Sequence, residues 1–214
     1  MKQNIKVILV DDHAVVRAGF RLLLANEEHI DVLAEAERGE QACQLFLEKQ
    51  PDVLVLDLSM PGIGGLETIR RICHRDGNAN ILVFSVHDEM VYVNRAMSAG
   101  AKGYITKNSA PAILVQAIQV IAQGGIYIEQ GLLNTKPAPS NDIDYRAIID
   151  TLSAREFDVF LLLAKGLTAH KIAEELCLGY KTVANYGTQI RSKLQVSSVA
   201  ELTHIAMVLG VLKG

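Results

Sequence analysis

One repeated pattern limits what the first 125 residues of this chain can become: a short apolar, β-branched run followed by helical periodicity, five times over. Ile5-Lys6-Val7-Ile8-Leu9-Val10 ends at two acids, and beyond it Ala14, Val15, Ala18, Leu22 and Leu23 recur at helical spacing. The alternation returns at residues 32–37 and then 41–49, and at residues 53–56 followed, after Met60-Pro61-Gly62, by a helix over 66–74. It returns again at 81–85 ahead of a helix ending near Gly100. Residues 103–107 then precede a helix over 111–123, with Pro111 at its start and Gly124-Gly125 beyond its end. Runs this apolar suit strands covered on both faces. The pattern therefore predicts an α/β fold, a five-stranded doubly wound parallel sheet that binds its ligands beyond the carboxyl ends of the strands.

The rhythm stops after Gly125, which bounds a first domain at residues 1–125. Residues 126–148 read as a linker whose polar centre, 134–142, holds two of the five prolines and has no periodicity. Residues 149–214 show only helical patterns, interrupted at Gly166-Leu167-Thr168, Cys177-Leu178-Gly179 and Gln195-Val196-Ser197, so a small all-α domain follows. Charge follows the same division. Residues 1–133 carry 12 Lys+Arg against 16 Asp+Glu, whereas residues 151–214 carry 7 against 5. Lys181, Arg191 and Lys193 lie in a stretch, 180–194, that contains no acid and suits an anionic partner. The three cysteines, Cys43, Cys73 and Cys177, lack Cys-x-x-Cys spacing and read as reduced residues without zinc or disulfide. With no apolar run near the ~20 residues of a membrane span and no secretory signal at the start, the expectation is a cytoplasmic protein without membrane contact.

Asp11 and Asp12 end the first strand and Asp57 ends the third apolar run. If those strands are neighbours, three carboxylates meet at one rim and repel unless a cation sits among them, a task for which hard oxygen ligands favour Mg²⁺. Helix capping accounts for any one of the three taken alone. It does not account for Ser85 ending the fourth strand and Lys107 the fifth, at the same edge. A carboxylate, a divalent metal, a hydroxyl and a lysine together form a phosphoryl acceptor site, with Asp57 as nucleophile and the cations neutralising the phosphoryl oxygens.

In that order these elements resemble the receiver domain of bacterial two-component response regulators: Asp11-Asp12, Asp57 with Met60-Pro61-Gly62, Ser85, Tyr104 and Lys107. The resemblance covers residues 5–125 and implies a flavodoxin-like fold. It makes Asp57 the phosphoacceptor, charged by a sensor histidine kinase, with self-phosphorylation from a phosphodonor and slow self-dephosphorylation as the only chemistry. It also implies that Asp12 and Asp57 ligate Mg²⁺ directly, Asp11 through water, and Ser59 through its backbone carbonyl. Lys107 would pair with the phosphoryl group. Ser85 would hydrogen-bond a phosphoryl oxygen and make room for Tyr104 to turn from an exposed to a buried rotamer, although Tyr104 also fits as an ordinary strand aromatic. His87 stands where water access to the acyl phosphate would be controlled, and Asn108 departs from the Pro of many receivers. An aspartyl phosphatase is the rival from the enzyme class, but such hydrolases place a second acid two residues after the nucleophile, where this chain has Ser59. A nucleotide-binding module has no Gly-x-Gly-x-x-Gly or Walker loop to support it.

In the last domain, Ser153 with Glu156 three residues later forms a capping box opening a helix. A second helix over 167–176, a tight turn and a basic helix from Tyr180 describe a helix-turn-helix. Through Leu152-Ser153-x-Arg155-Glu156, Ile172-Ala173-x-x-Leu176, Lys181-Thr182-Val183, Ile190 and Lys193-Leu194 the segment resembles the LuxR/FixJ (NarL-type) DNA-binding domain. The resemblance implies a transcription regulator that binds double-stranded promoter DNA, as a homodimer on phosphorylation or DNA binding. It leaves Lys181, Thr182, Ala184, Asn185, Tyr186, Thr188, Arg191 and Lys193 to face DNA, with Lys and Arg on phosphates and Asn185 on a base edge. A helical protein-interaction module with a solvated basic face is the alternative.

Overall fold

Each of the five apolar runs forms a strand: β1 (Ile5–Val10), β2 (Ile30–Ala36), β3 (Val53–Leu56), β4 (Ile81–Ser85) and β5 (Gly103–Thr106). The computed structural model describes residues 4–133 and 145–212, divided between two units, Met1–Asn134 and Thr135–Gly214. In the first unit the helices α1 (Ala14–Ala25), α2 (Gly39–Lys49), α3 (Gly64–Arg75), α4 (Met90–Ala99) and α5 (Pro111–Ala122) alternate with the strands. All sheet pairings are parallel, in the order β2-β1-β3-β4-β5-β6.

The sixth strand, β6 (Tyr127–Ile128), was not expected. It pairs with β5 through Gly103 and Tyr104, inside the stretch read as linker, and a short helix α6 (Gln130–Leu133) follows it. Two residues behind a double glycine carry too little periodicity to announce a strand; they are held by β5, since the Tyr127 amide donates to the Lys102 carbonyl at 3.0 Å. The remaining polar centre of that stretch lies outside the described residues.

Alternate residues of each strand point to opposite faces, and in the central strands β1, β3, β4 and β5 both faces are dry, whereas the edge strand β2 exposes Leu33. Val7, Leu9, Val53, Val55, Leu82, Phe84 and Ile105 pack against Leu24 of α1 and Leu114, Ala117, Ile118 and Ile121 of α5. Ile8, Leu54, Leu56, Ile81 and Val83, of the other parity, are equally buried, with α2, α3 and α4 on that side. Strands enclosed in this way leave only their carboxyl-terminal loops accessible, so polar chemistry collects there.

The second unit comprises α7 (Tyr145–Asp150), α8 (Ala154–Ala164), α9 (Ala169–Glu175), α10 (Tyr180–Leu194) and α11 (Val199–Val208). The capping box is present: Ser153 accepts from the Glu156 amide, and Glu156 accepts from the Ser153 amide. Thr168 caps α9 and Ser198 caps α11, each side-chain hydroxyl accepting from the amide three residues on. Phe157 and Phe160 of α8, Val183 and Ile190 of α10, and Leu202 and Ile205 of α11 are almost fully buried and form the core. Among the described residues no helix is long and apolar enough to cross a membrane.

Candidate functional site

The strand order makes β1 and β3 neighbours, with Val10 beside Leu56, so the residues that follow, Asp11 and Asp57, emerge side by side. Both are buried, at 5% and 3% exposure. The Lys107 ammonium reaches both carboxylates, 2.5 Å from Asp11 and 2.7 Å from Asp57. Its backbone amide donates to the Ser85 carbonyl at 2.7 Å, which locks the end of β5 to the end of β4. Burial raises the Asp57 carboxyl above the ordinary 3.8, against the pull of the Lys107 ammonium. Burial also penalises the Lys107 charge, but the hydrogen bonds to Asp11 and Asp57 outweigh it and hold the ammonium above the ordinary lysine value. The site thus keeps its cation and presents a poorly solvated carboxylate, which is the state a nucleophilic oxygen needs.

Backbone detail fixes the loop around Asp57. A side chain on Gly65 would stand 2.4 Å from the Asp57 carbonyl oxygen and 2.5 Å from Leu58 Cα, so only glycine lets α3 start against this loop. The Ser59 amide donates to Asp57 Oδ1 at 3.2 Å. Arg17, which the sequence did not single out, is buried and donates to the Asp11 carbonyl at 2.6 Å, with Glu35 and Glu37 on its other nitrogens. That clamp holds the acidic turn, and its signal in the sequence was only one arginine within an amphipathic helix.

Ser85 and Tyr104 are both fully buried. Tyr104 points inward: its hydroxyl donates to the His87 carbonyl at 2.9 Å, and burial raises its phenol above the ordinary 10.0. His87 stacks on Tyr92 at 3.9 Å, and its Nε2 lies 3.0 Å from the Ser59 hydroxyl. One residue therefore touches both the loop after Asp57 and the tyrosine.

Asp11, Asp12, His13 and Asp57 each bring a ligand atom within 4.8 Å of one another. Asp12 Oδ1 is buried and accepts no hydrogen bond, although the His13 ring nitrogen lies 2.8 Å from it. An orphaned carboxylate oxygen beside two buried carboxylates fits a hard divalent cation such as Mg²⁺.

On α10, Val183, Gly187, Ile190 and Leu194 are buried at spacings of four, three and four, while Lys181, Thr182, Asn185 and Thr188 are exposed on the opposite face. Ala184, Tyr186 and Arg191 are half-buried. Lys193 is exposed like Lys181 but has a partner within its own unit. Its ammonium sits 2.7 Å from Glu156 and 3.4 Å from the Thr151 carbonyl. Glu156 is 4% exposed, and despite that burial Lys193 and Ser153 hold its carboxyl below the ordinary 4.5. The cation serves the capping box of α8, a partner 37 residues away that no local pattern reveals.

Residues 7–119 match the response regulator receiver domain, and residues 150–206 match the bacterial regulatory proteins of the luxR family. The transcriptional activator protein ExaE of Pseudomonas putida is 41% identical over 210 residues, covering 97% of this chain and 98% of its own. The response regulator UvrY of Escherichia coli K12 is 37% identical over 204 residues, covering 95% and 94%. RcsB of Salmonella enterica serovar Typhimurium, in a structure bound to promoter P1flhDC with the phosphomimetic BeF3-, covers 98% of this chain and 100% of its own at a TM-score of 0.65. At 24% identity that is a likeness of fold.

Proposed function

The chain belongs to the response regulators of the LuxR/FixJ type, and from that membership we propose that phosphorylation of Asp57 controls promoter binding by α10. It is a transcription regulator made of a receiver and a LuxR-type DNA-binding domain, with a kinase and DNA as partners. We assign residues 1–125 to the receiver, 126–148 to the linker and 149–214 to the DNA-binding domain. One observation carries the reading of the pocket: a single ammonium, Lys107, bridges two buried carboxylates at the ends of neighbouring strands.

In the proposed reaction an Asp57 carboxylate oxygen attacks the phosphorus of a sensor histidine kinase's phosphohistidine. The P–N bond breaks, and its electron pair returns to the donor imidazole. Lys107 stays protonated and faces the new phosphoryl oxygens, while Ser85 donates its hydroxyl to one of them. Asp12 and Asp57, with Asp11 behind them and the Ser59 carbonyl beside them, would hold Mg²⁺, which supplies further neutralisation of phosphoryl charge. Self-phosphorylation from small phosphodonors and slow self-dephosphorylation complete the chemistry.

On the second unit, Lys181 and Arg191 are proposed to contact phosphates, and Thr182, Ala184, Asn185, Tyr186 and Thr188 to lie along the groove, with Asn185 on a base edge. Lys193 is proposed as a support of that helix, since its charge is engaged by Glu156. The DNA-bound RcsB dimers known from a chain of the same fold support a two-fold homodimer on DNA.

Intact-mass measurement after exposure to acetyl phosphate and Mg²⁺ tests the assignment. Wild type gains one phosphoryl group and Asp57→Asn gains none; uptake by Asp57→Asn at the wild-type rate would refute it.

A further inference from the structure

The turn that carries Lys107 is held from outside the receiver's five βα units. Glu129 Oε2 accepts from the Thr106 amide at 2.9 Å and from the Ser109 hydroxyl at 2.7 Å, so one carboxylate oxygen binds residues on both sides of Lys107. The Thr106 and Ser109 hydroxyls lie 3.1 Å apart, and the Ser109 amide donates to the Thr106 carbonyl. Glu129 is itself anchored, its amide donating to the Tyr104 carbonyl at 3.0 Å. It stands between β6 and α6, on the segment by which the chain leaves the sheet.

A lysine side chain has four rotatable bonds and points wherever its backbone aims it. The turn Thr106-Lys107-Asn108-Ser109 contains no proline to fix φ, and Asn108 is exposed. The restraint on this turn comes from the Lys107 amide bond to Ser85 on one side and from the Glu129 carboxylate on the other. Charge-assisted hydrogen bonds to a carboxylate are stronger than neutral ones, and two donors on one oxygen define its position closely.

We propose that Glu129 is a positioning residue for Lys107: it pins the turn that aims the ammonium at Asp57 and ties that turn to the segment leaving the receiver. The inference rests on Asp57 as phosphoacceptor and Lys107 as its cation. When a phosphoryl group adds negative charge opposite Lys107, a pinned turn passes the pull to Glu129 and to α6, whereas an unpinned turn relaxes locally.

Hydrogen–deuterium exchange of the full-length chain, before and after acetyl phosphate with Mg²⁺, reads this directly. In wild type, phosphorylation changes exchange both at residues 106–109 and at 130–133. Glu129→Ala should still take up a phosphoryl group, exchange about tenfold faster at the Thr106 amide, and lose the response at 130–133. Glu129→Gln, which keeps one acceptor oxygen for both donors, should restore that response; Ser109→Ala, which removes one donor, should weaken it by half. In a Lys107→Ala background Glu129→Ala should add nothing. A wild-type response in Glu129→Ala, failure of Glu129→Gln to restore it, or an additive loss in the double variant would overturn the proposal. Phosphoryl uptake by Asp57→Asn would instead overturn the reading of the pocket, so the two failures are distinguishable. If Glu129→Ala is not folded by circular dichroism, Ser109→Ala and Glu129→Gln decide on the same criteria.

Discussion

The pocket of the first unit and the exposed face of α10 hold their functional groups in opposite ways. In the pocket, Asp11, Asp57, Ser85 and Tyr104 are buried and held by one another, by Lys107 and by His87. On α10, Lys181, Thr182, Asn185 and Thr188 face solvent, and the helix is placed by residues on its other side. The contrast teaches that a bond-forming site needs its charges preorganised in a dry place, whereas a DNA-reading surface needs its side chains hydrated and its backbone rigid. Lys193 marks the boundary. It is exposed on α10 like Lys181, yet its ammonium also pairs with a carboxylate buried in the first turn of α8.

The sharpest way to break this comparison is to treat Lys193 and Lys181 alike. Lys193→Ala strands Glu156 without its cation and should destabilise the helical unit by about 1–3 kcal/mol, measured by urea unfolding of the full chain. Lys181→Ala should leave stability unchanged, weaken binding to all DNA sequences, and lower the dependence of log affinity on log salt by about one unit. Equal stability of both variants, with equal loss of DNA affinity, would return Lys193 to the DNA face.

A base contact differs from both. Asn185→Ala should change which sequences are preferred, by about 1–3 kcal/mol at a single base pair, without altering the salt dependence. Uniform loss across a randomised DNA pool would show that Asn185 touches only backbone.

The smallest effect is on acid stability. Because the folded Glu156 carboxyl titrates below the ordinary 4.5, its contribution is fully present above that value and is lost as pH falls through the lower folded value. The gap in melting temperature between wild type and Lys193→Ala should therefore be constant from pH 5 upward and narrow below about pH 4. A gap that widens on acidification would contradict the linkage.

The parts of this molecule legible in sequence are those whose signals are local or repeated. Strands β1, β3, β4 and β5 were evident because each is an apolar run, and the end of each named a pocket residue, whereas β2 was evident from its place in the alternation alone. The capping box at Ser153 and Glu156 was evident because its two partners are three residues apart. What was missed acts at long range. β6 is two residues long and depends on β5 for its bonds. The partners of Arg17 are 18 and 20 residues away, and the link between Ser59 and His87 spans 28. Tyr104 could be named as a strand aromatic or a switch, but its buried position beneath His87 is set by packing that no spacing encodes.

The pair between Lys193 and Glu156 also sets a limit for anyone who wishes to retarget this regulator. Residues 181–189 of α10 form a natural cassette for exchange with those of another family member, provided the buried Val183 keeps its size; a Cβ added at Gly187 would meet Leu163 at an ordinary 3.6 Å. A graft that runs on through Lys193 carries away half of a scaffold bond whose other half stays behind in α8. The transplanted specificity would then arrive on a weakened domain, and the seam of a successful chimera belongs before that lysine.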